Sequence, residues 1–137
     1  MRTLLLILAL LLTATGTTVA QYAIIANPSV EEYSIDKQDV LKIYTVATTQ
    51  WKNGSPVVAF DLKDEGKTRN AFYDYINRTP LEMRRGWMKM VSSKTGKAPE
   101  AIATEEELVE KVASTPGAIG YVASAKVGKK VKVLARF

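Results

Sequence analysis

The chain has 137 residues, 47% of them apolar and 24% charged, the composition of one folded domain and not of a disordered chain. It has no Cys and no His. Disulfides are therefore excluded, and so are the commonest metal ligand and acid–base group; no cofactor, metal or catalytic residue is expected. Lys and Arg number 19 against 14 Asp and Glu, a net charge of +5. The basic residues are scattered among acids and form no stripe with aromatic platforms, so nucleic acid is not an expected partner. The excess suits a small anion or, more simply, a solvated surface.

Arg2 is followed by an uninterrupted apolar run from Leu4 to Leu12, then by small and polar residues ending in Thr18-Val19-Ala20. That is the three-part pattern of a secretory signal. It falls short of the roughly 20 apolar residues of a spanning helix. Cleavage is expected after Ala20, leaving one domain from Gln21 to Phe137 with net charge +4. Without a Cys, no lipid-bearing N-terminal residue is available.

Gln21 to Ala26 reads as a short apolar strand ended by Asn27-Pro28. Ser34 is the expected cap of a helix from Ile35 to about Thr45, with Asp36 in its first turn and Val40, Leu41 and Tyr44 at helical spacing. Trp51-Lys52-Asn53-Gly54-Ser55 is a turn, and Pro56 to Phe60 a second strand. Asp61 to Gly66 reads as a solvated loop whose Asp61, Asp64 and Glu65 lack the spacing of a calcium loop. A helix is expected from Thr68 to Arg78, with Ala71, Phe72, Tyr75 and Ile76 facing the sheet.

Thr79-Pro80-Leu81-Glu82 has the form of a capping box opening a helix to about Val91. Gly86 inside it predicts a close packing contact or a break. Arg84, Arg85 and Lys89 read as a solvated face, and Trp51 and Trp87 as core anchors. Ser92 to Pro99 is a polar loop. Thr104 to Glu107 is a second capping box, for a helix to about Ser114, stopped by Pro116-Gly117. Ala118 to Val122 is a third strand, and Lys130 to Phe137 a fourth. In the fourth, Val131, Val133, Ala135 and Phe137 alternate with Lys130, Lys132 and Arg136, as near a sheet edge. The order β-α-β-α-α-α-β-β predicts an α/β fold, a small mixed sheet flanked by helices.

Four stretches, in order, resemble the solute-binding proteins of phosphate ABC transporters, which have the type II periplasmic binding fold. Ala26-Asn27-Pro28-Ser29 resembles the family's entry into its second lobe. Gln50-Trp51-Lys52-Asn53-Gly54-Ser55-Pro56-Val57 resembles its Asn-Trp-x-x-Gly-x-Pro-Ile turn. Thr68-Arg69-Asn70-Ala71-Phe72 resembles its Thr-Arg-x-x-Phe helix start. Pro116-Gly117-Ala118-Ile119-Gly120-Tyr121-Val122 reproduces its Pro-Gly-Ala-Ile-Gly-Tyr signature. The resemblance implies a periplasmic protein shaped like one lobe of such a receptor, with the chain beginning and ending where hinge strands would be.

The family's phosphate loop reads Arg-x-Asp-Gly-Ser-Gly-Thr before a helix, and Leu62-Lys63-Asp64-Glu65-Gly66-Lys67-Thr68 occupies its place. Asp64 and Thr68 match. Leu62 replaces the Arg, Glu65 the first Gly, Gly66 the Ser and Lys67 the second Gly. By this resemblance the oxyanion-binding residues are Gly66, Lys67, Thr68 and Arg69, set against the bland alternative of an ordinary helix start. Gly66-Lys67-Thr68 also copies the end of a P-loop, but Asp61 stands where that loop needs its first Gly.

Two function classes remain. One is solute binding, with a phosphate-type oxyanion as ligand and a second chain or weak binding making up for the single wall of the pocket. The other is a periplasmic accessory that docks on a membrane transporter or sensor without binding a ligand. An enzyme is not expected, and the oligomeric state is left open.

Overall fold

The computed structural model describes residues 20–137. The secretory-signal reading therefore falls almost wholly outside the described residues. The elements run β1 (Tyr22–Ala26), α1 (Lys37–Tyr44), β2 (Val58–Leu62), α2 (Lys67–Tyr75), α3 (Pro80–Ser92), β3 (Glu100–Ile102), α4 (Glu105–Ser114), β4 (Ala118–Ala123), a 3-10 turn at Ser124–Lys126, and β5 (Lys132–Arg136). The sheet order is β3-β2-β4-β1-β5. β2 pairs in parallel with β3 and β4, while β1 runs antiparallel to β4 and β5. This is the expected mixed α/β sheet, with one strand more than the sequence announces. No helix among the described residues is long and apolar enough to cross a membrane.

The apolar run of β1 has a physical cause. Its residues Ala23 to Ala26 are fully buried, because layers of the molecule cover both faces of the strand. Phe72 of α2 packs on this sheet: its ring stacks on Tyr121 of β4 at 3.9 Å between centroids and meets Tyr44 of α1 edge-on at 4.7 Å. α4 lies against β4 at Gly120, where a Cβ would come within 2.6 Å of Leu108 Cδ2.

Three of the four family-like stretches hold one another. The Asn27 side-chain amide donates to the carbonyls of Val112 and Ala113 at the end of α4. The Ser29 hydroxyl accepts from the Gly117 N–H at 3.0 Å. The buried Trp51 indole donates to the Gly117 carbonyl at 2.9 Å. Gly117 adopts φ +77°, and a Cβ there would collide with the Pro56 carbonyl oxygen, so only glycine fits this corner.

Several local expectations change. α1 is capped by Asp36, whose carboxylate accepts from the Asp39 N–H; Ser34 is not the cap, and the helix begins at Lys37. Ile43, and not the half-buried Leu41, joins Val40 and Tyr44 in the core. α2 ends at Tyr75, short of Arg78, because Asn77 turns to φ 54°. It buries Thr68, Phe72 and Tyr73, with Ile76 buried just past its end, while Tyr75 lies at the border, stacked on Phe137 at 4.4 Å.

α3 passes Gly86 without a break, and nothing lies near a Cβ placed there. Trp87 is half-buried and ties α3 to α1 through its indole N–H on the Tyr44 carbonyl. β3 is the additional strand: Ile102 is its one buried residue, and the three-residue strand is defined by parallel pairing to β2. β5 is an edge strand, as expected, but it also buries Leu134, on the face assigned to its charged residues: Val133 and Ala135 pair with the adjacent Ile25 and Ile24 of β1, which leaves Leu134 as the extra residue of a bulge.

Candidate functional site

β2 extends two residues beyond its expected end, to Leu62, and this sets the site. Asp61 is thereby placed in the core, 4% exposed, and not in a solvated loop. Its carboxylate accepts hydrogen bonds from the Tyr121 hydroxyl, from the Tyr73 hydroxyl at 2.6 Å and from the Leu62 N–H at 2.9 Å. Buried carboxylates survive only when satisfied in this way. Burial, followed by the Asp61 charge, pushes both tyrosine hydroxyls far above their ordinary pKa, so they stay protonated donors. The acidic trio read from the sequence is therefore split: Asp61 is structural, while Asp64 and Glu65 are exposed.

The chain then turns through Lys63 to Gly66 and enters α2. Gly66 is the N-cap residue and provides no side-chain hydrogen bond. The other three α-helices among the described residues are capped by Asp36, Thr79 and Thr104. No side chain among the described residues accepts from the first N–H groups of α2, which lie at the positive end of the helix dipole.

Gly66, Lys67, Thr68 and Arg69 all line one groove of about 530 Å³, with Leu62, Asp64, Glu65, Thr104, Glu105, Glu106, Ala123 and Lys126 among its other walls. Gly66 and Lys67 are exposed, Thr68 is buried, and Arg69 is half-buried. The Arg69 guanidinium lies 5.0 Å from the centre of the Tyr73 ring, and its Nε is buried without a hydrogen-bond partner among the described residues. Leu62, on the same groove wall, brings no charge.

Across the groove, α4 begins with its own acids. Glu105 Oε1 accepts from the Ala123 N–H at 2.8 Å, and Oε2 lies 3.1 Å from Lys126 Nζ. Burial by itself raises the carboxyl pKa of Glu105. The Ala123 N–H, the Thr68 hydroxyl and the Lys126 ammonium reverse that and hold it below the usual glutamate range. Lys126 also pairs with Glu106 at 2.9 Å. The groove therefore carries four carboxylates, Asp64, Glu65, Glu105 and Glu106, against three cations, Lys67, Arg69 and Lys126.

No family model and no curated protein matches the chain. Solved structures do. A phosphate ABC transporter substrate-binding protein with bound phosphate from Clostridium perfringens superposes with a TM-score of 0.70 at 19% identity, covering 84% of this chain and 44% of that one. An ABC-type phosphate transport receptor from Vibrio cholerae gives 0.67 at 16% identity, covering 84% and 45%. PstS from Borrelia burgdorferi gives 0.63 at 16% identity, covering 85% and 47%. The chain has the fold of these substrate-binding proteins. It spans less than half the length of each, so the likeness is to part of a binding protein.

Within that fold, Gly66 to Arg69 lie together at one helix start beside one groove. The sequence does not signal Glu105, Lys126 or the Ala123 N–H as their neighbours. Acidic residues in the first turn of a helix are commonplace, so Glu105-Glu106-Glu107 read only as a good start for α4. Lys126 sits in a 3-10 turn between two strands, in a stretch without periodicity.

Proposed function

We propose that this is an exported, periplasmic solute-binding-type protein, processed to one domain from Gln21 to Phe137, that takes a phosphate-type oxyanion at the start of α2. The N–H groups of Lys67 to Arg69, the Thr68 hydroxyl and the Lys67 ammonium are its donors, with Gly66 giving close access. The observation that carries this reading is the uncapped α2 start, open on a groove and adjoining the Arg69 donor that lacks a partner among the described residues. The solved protein from Clostridium perfringens holds phosphate within the same fold.

The Arg of the family loop is replaced by Leu62, and four carboxylates share the groove. Binding is therefore weaker than in a receptor with a guanidinium in that place, by about tenfold or more for each charged hydrogen bond lost. Titration of the protein with phosphate, followed by amide chemical shifts, is the test. Shifts at Gly66 through Arg69 at millimolar phosphate support the reading, and still amides there in a folded protein refute it. Thr68→Val and Lys67→Glu should each lower the affinity further.

A specific feature favours the second reading, an accessory that docks on a transporter or sensor. α3 buries Met83 alone and leaves Leu81, Met88 and Val91 51%, 62% and 57% exposed, an apolar stripe at helical spacing. If phosphate leaves the α2 amides unmoved, this reading replaces the first.

A further inference from the structure

The donors that face the groove are not all free. Glu105 already places a carboxylate among them. One of its oxygens takes the Ala123 backbone N–H at 2.8 Å and the other the Lys126 ammonium at 3.1 Å, and Thr68 lines the same groove. Only 16% of this side chain is exposed, although it lies in the first turn of α4, where an unconstrained Glu would extend into water, as the neighbouring Glu106 does at 69%. Thr104, and not Glu105, caps α4, so the helix does not need this carboxylate for its cap. A carboxylate and a phosphate present the same acceptor oxygens to the same kinds of donor.

We infer that Glu105 is a resident occupant of the oxyanion groove, and that it sets the groove's affinity by holding the Ala123 N–H and the Lys126 ammonium against an incoming anion. The inference rests on the reading that the α2 start binds an oxyanion. An incoming dianion must either displace the Glu105 side chain, breaking the bond to the Ala123 N–H, or sit beside its charge. The first route frees the Ala123 N–H and the Lys126 ammonium for the ligand. The second is opposed by like-charge repulsion at close range. Both make the intact protein a weak phosphate binder for a reason separate from the Leu62 replacement. Both also predict that removing the Glu105 charge strengthens binding, whereas changing a residue that contacts the ligand would weaken it.

The test compares the wild-type chain with Glu105→Gln and Glu106→Gln in amide-detected titrations with inorganic phosphate. Glu105→Gln keeps a side-chain oxygen for the Ala123 N–H and removes the charge. It should tighten phosphate binding by roughly tenfold. Glu106→Gln, which removes an equal charge from an exposed position paired to the same Lys126, should change it far less. In the wild type, the Ala123 amide should move together with those of Gly66 to Arg69 as the carboxylate is displaced, a readout that needs no variant to fold. Equal affinity in wild type and Glu105→Gln, with Ala123 still, overturns the inference and leaves the oxyanion reading standing. Equal gains from Glu105→Gln and Glu106→Gln also overturn it, because net charge and not occupancy would then be at work. No binding by wild type or Glu105→Gln overturns the oxyanion reading and the inference with it.

Discussion

Asp61 accepts three hydrogen bonds and Glu105 one together with an ion pair to Lys126, and the two carboxylates behave as different kinds of object. Asp61 lies one residue before the end of β2, inside the core, and two of its donors are buried tyrosine hydroxyls. Glu105 opens α4 on a groove wall, and its donors are a strand-end N–H and a lysine 42% exposed to water. Losing Asp61 would strand buried donors; losing Glu105 would hand its donors to solvent or to a ligand. A carboxylate held by core donors is structure, and one held by groove donors can be exchanged.

The comparison is most severely strained by removing what positions the core tyrosines. Phe72 is fully buried and stacks flat on Tyr121, with a 6° interplanar angle. Phe72→Ala should cost about 3–5 kcal/mol of stability, read as a lowered urea midpoint with an unchanged slope. An unchanged midpoint would mean that Phe72 is not the platform for Tyr121. Asp61→Ala comes next. It leaves the hydroxyls of Tyr73 and Tyr121 without their acceptor, at roughly 1–3 kcal/mol each. The same substitution at Glu105 should change the midpoint by less than half as much; equal losses would erase the distinction between the two sites.

How far the sequence foretells each site depends on the same difference. The α2 start is legible because its signals are local: a Gly-Lys-Thr after a polar turn, then apolar residues at helical spacing. The capped starts of α3 and α4 are legible for the same reason, and Thr79 and Thr104 do accept from the N–H groups of Glu82 and Glu107. Asp61 misleads because an Asp beside Lys63-Asp64-Glu65 looks like a loop residue. Its partners, 12 and 60 residues away along the chain, are what allow it into the core. Glu105 and Lys126 are illegible as site residues because the turn after β4, and nothing near them in sequence, brings them to the groove. β3 has too few apolar residues to read as a strand and depends on β2 for its pairing.

A smaller effect sharpens the claim that α4 does not need Glu105 for its cap. Thr104→Ala removes the hydroxyl that accepts from the Glu107 N–H at 3.1 Å. It should lower stability by about 1 kcal/mol while leaving phosphate affinity within about twofold of wild type, since Thr104 offers the groove no charge. A large change in affinity with stability intact would show that the Thr104 hydroxyl itself serves the ligand.

The smallest effect is on acid stability, and its sign is fixed. Glu105 titrates below the ordinary glutamate value of 4.5 in the folded chain. A depressed carboxyl stabilises the fold above the unfolded-state pKa, and that contribution is lost as the pH falls through the lower, folded value. Its nearest charged partners are Lys126, whose own pKa is raised by Glu106 and Glu105, and Glu106, which is lowered chiefly by Lys126; Asp64, Glu65, Lys67 and Arg69 line the opposite side of the groove. Lys126 stays charged throughout the acid range, so the titrating partners are the two carboxylates. Wild type should therefore exceed Glu105→Gln in urea midpoint at pH 6, and the gap should close on the way to pH 3. A gap that persists at pH 3 would mean that packing, and not the ionised carboxylate, is what Glu105 contributes. Phosphate added at pH 6 should narrow the same gap from the other side, because it stabilises the variant that binds it more tightly.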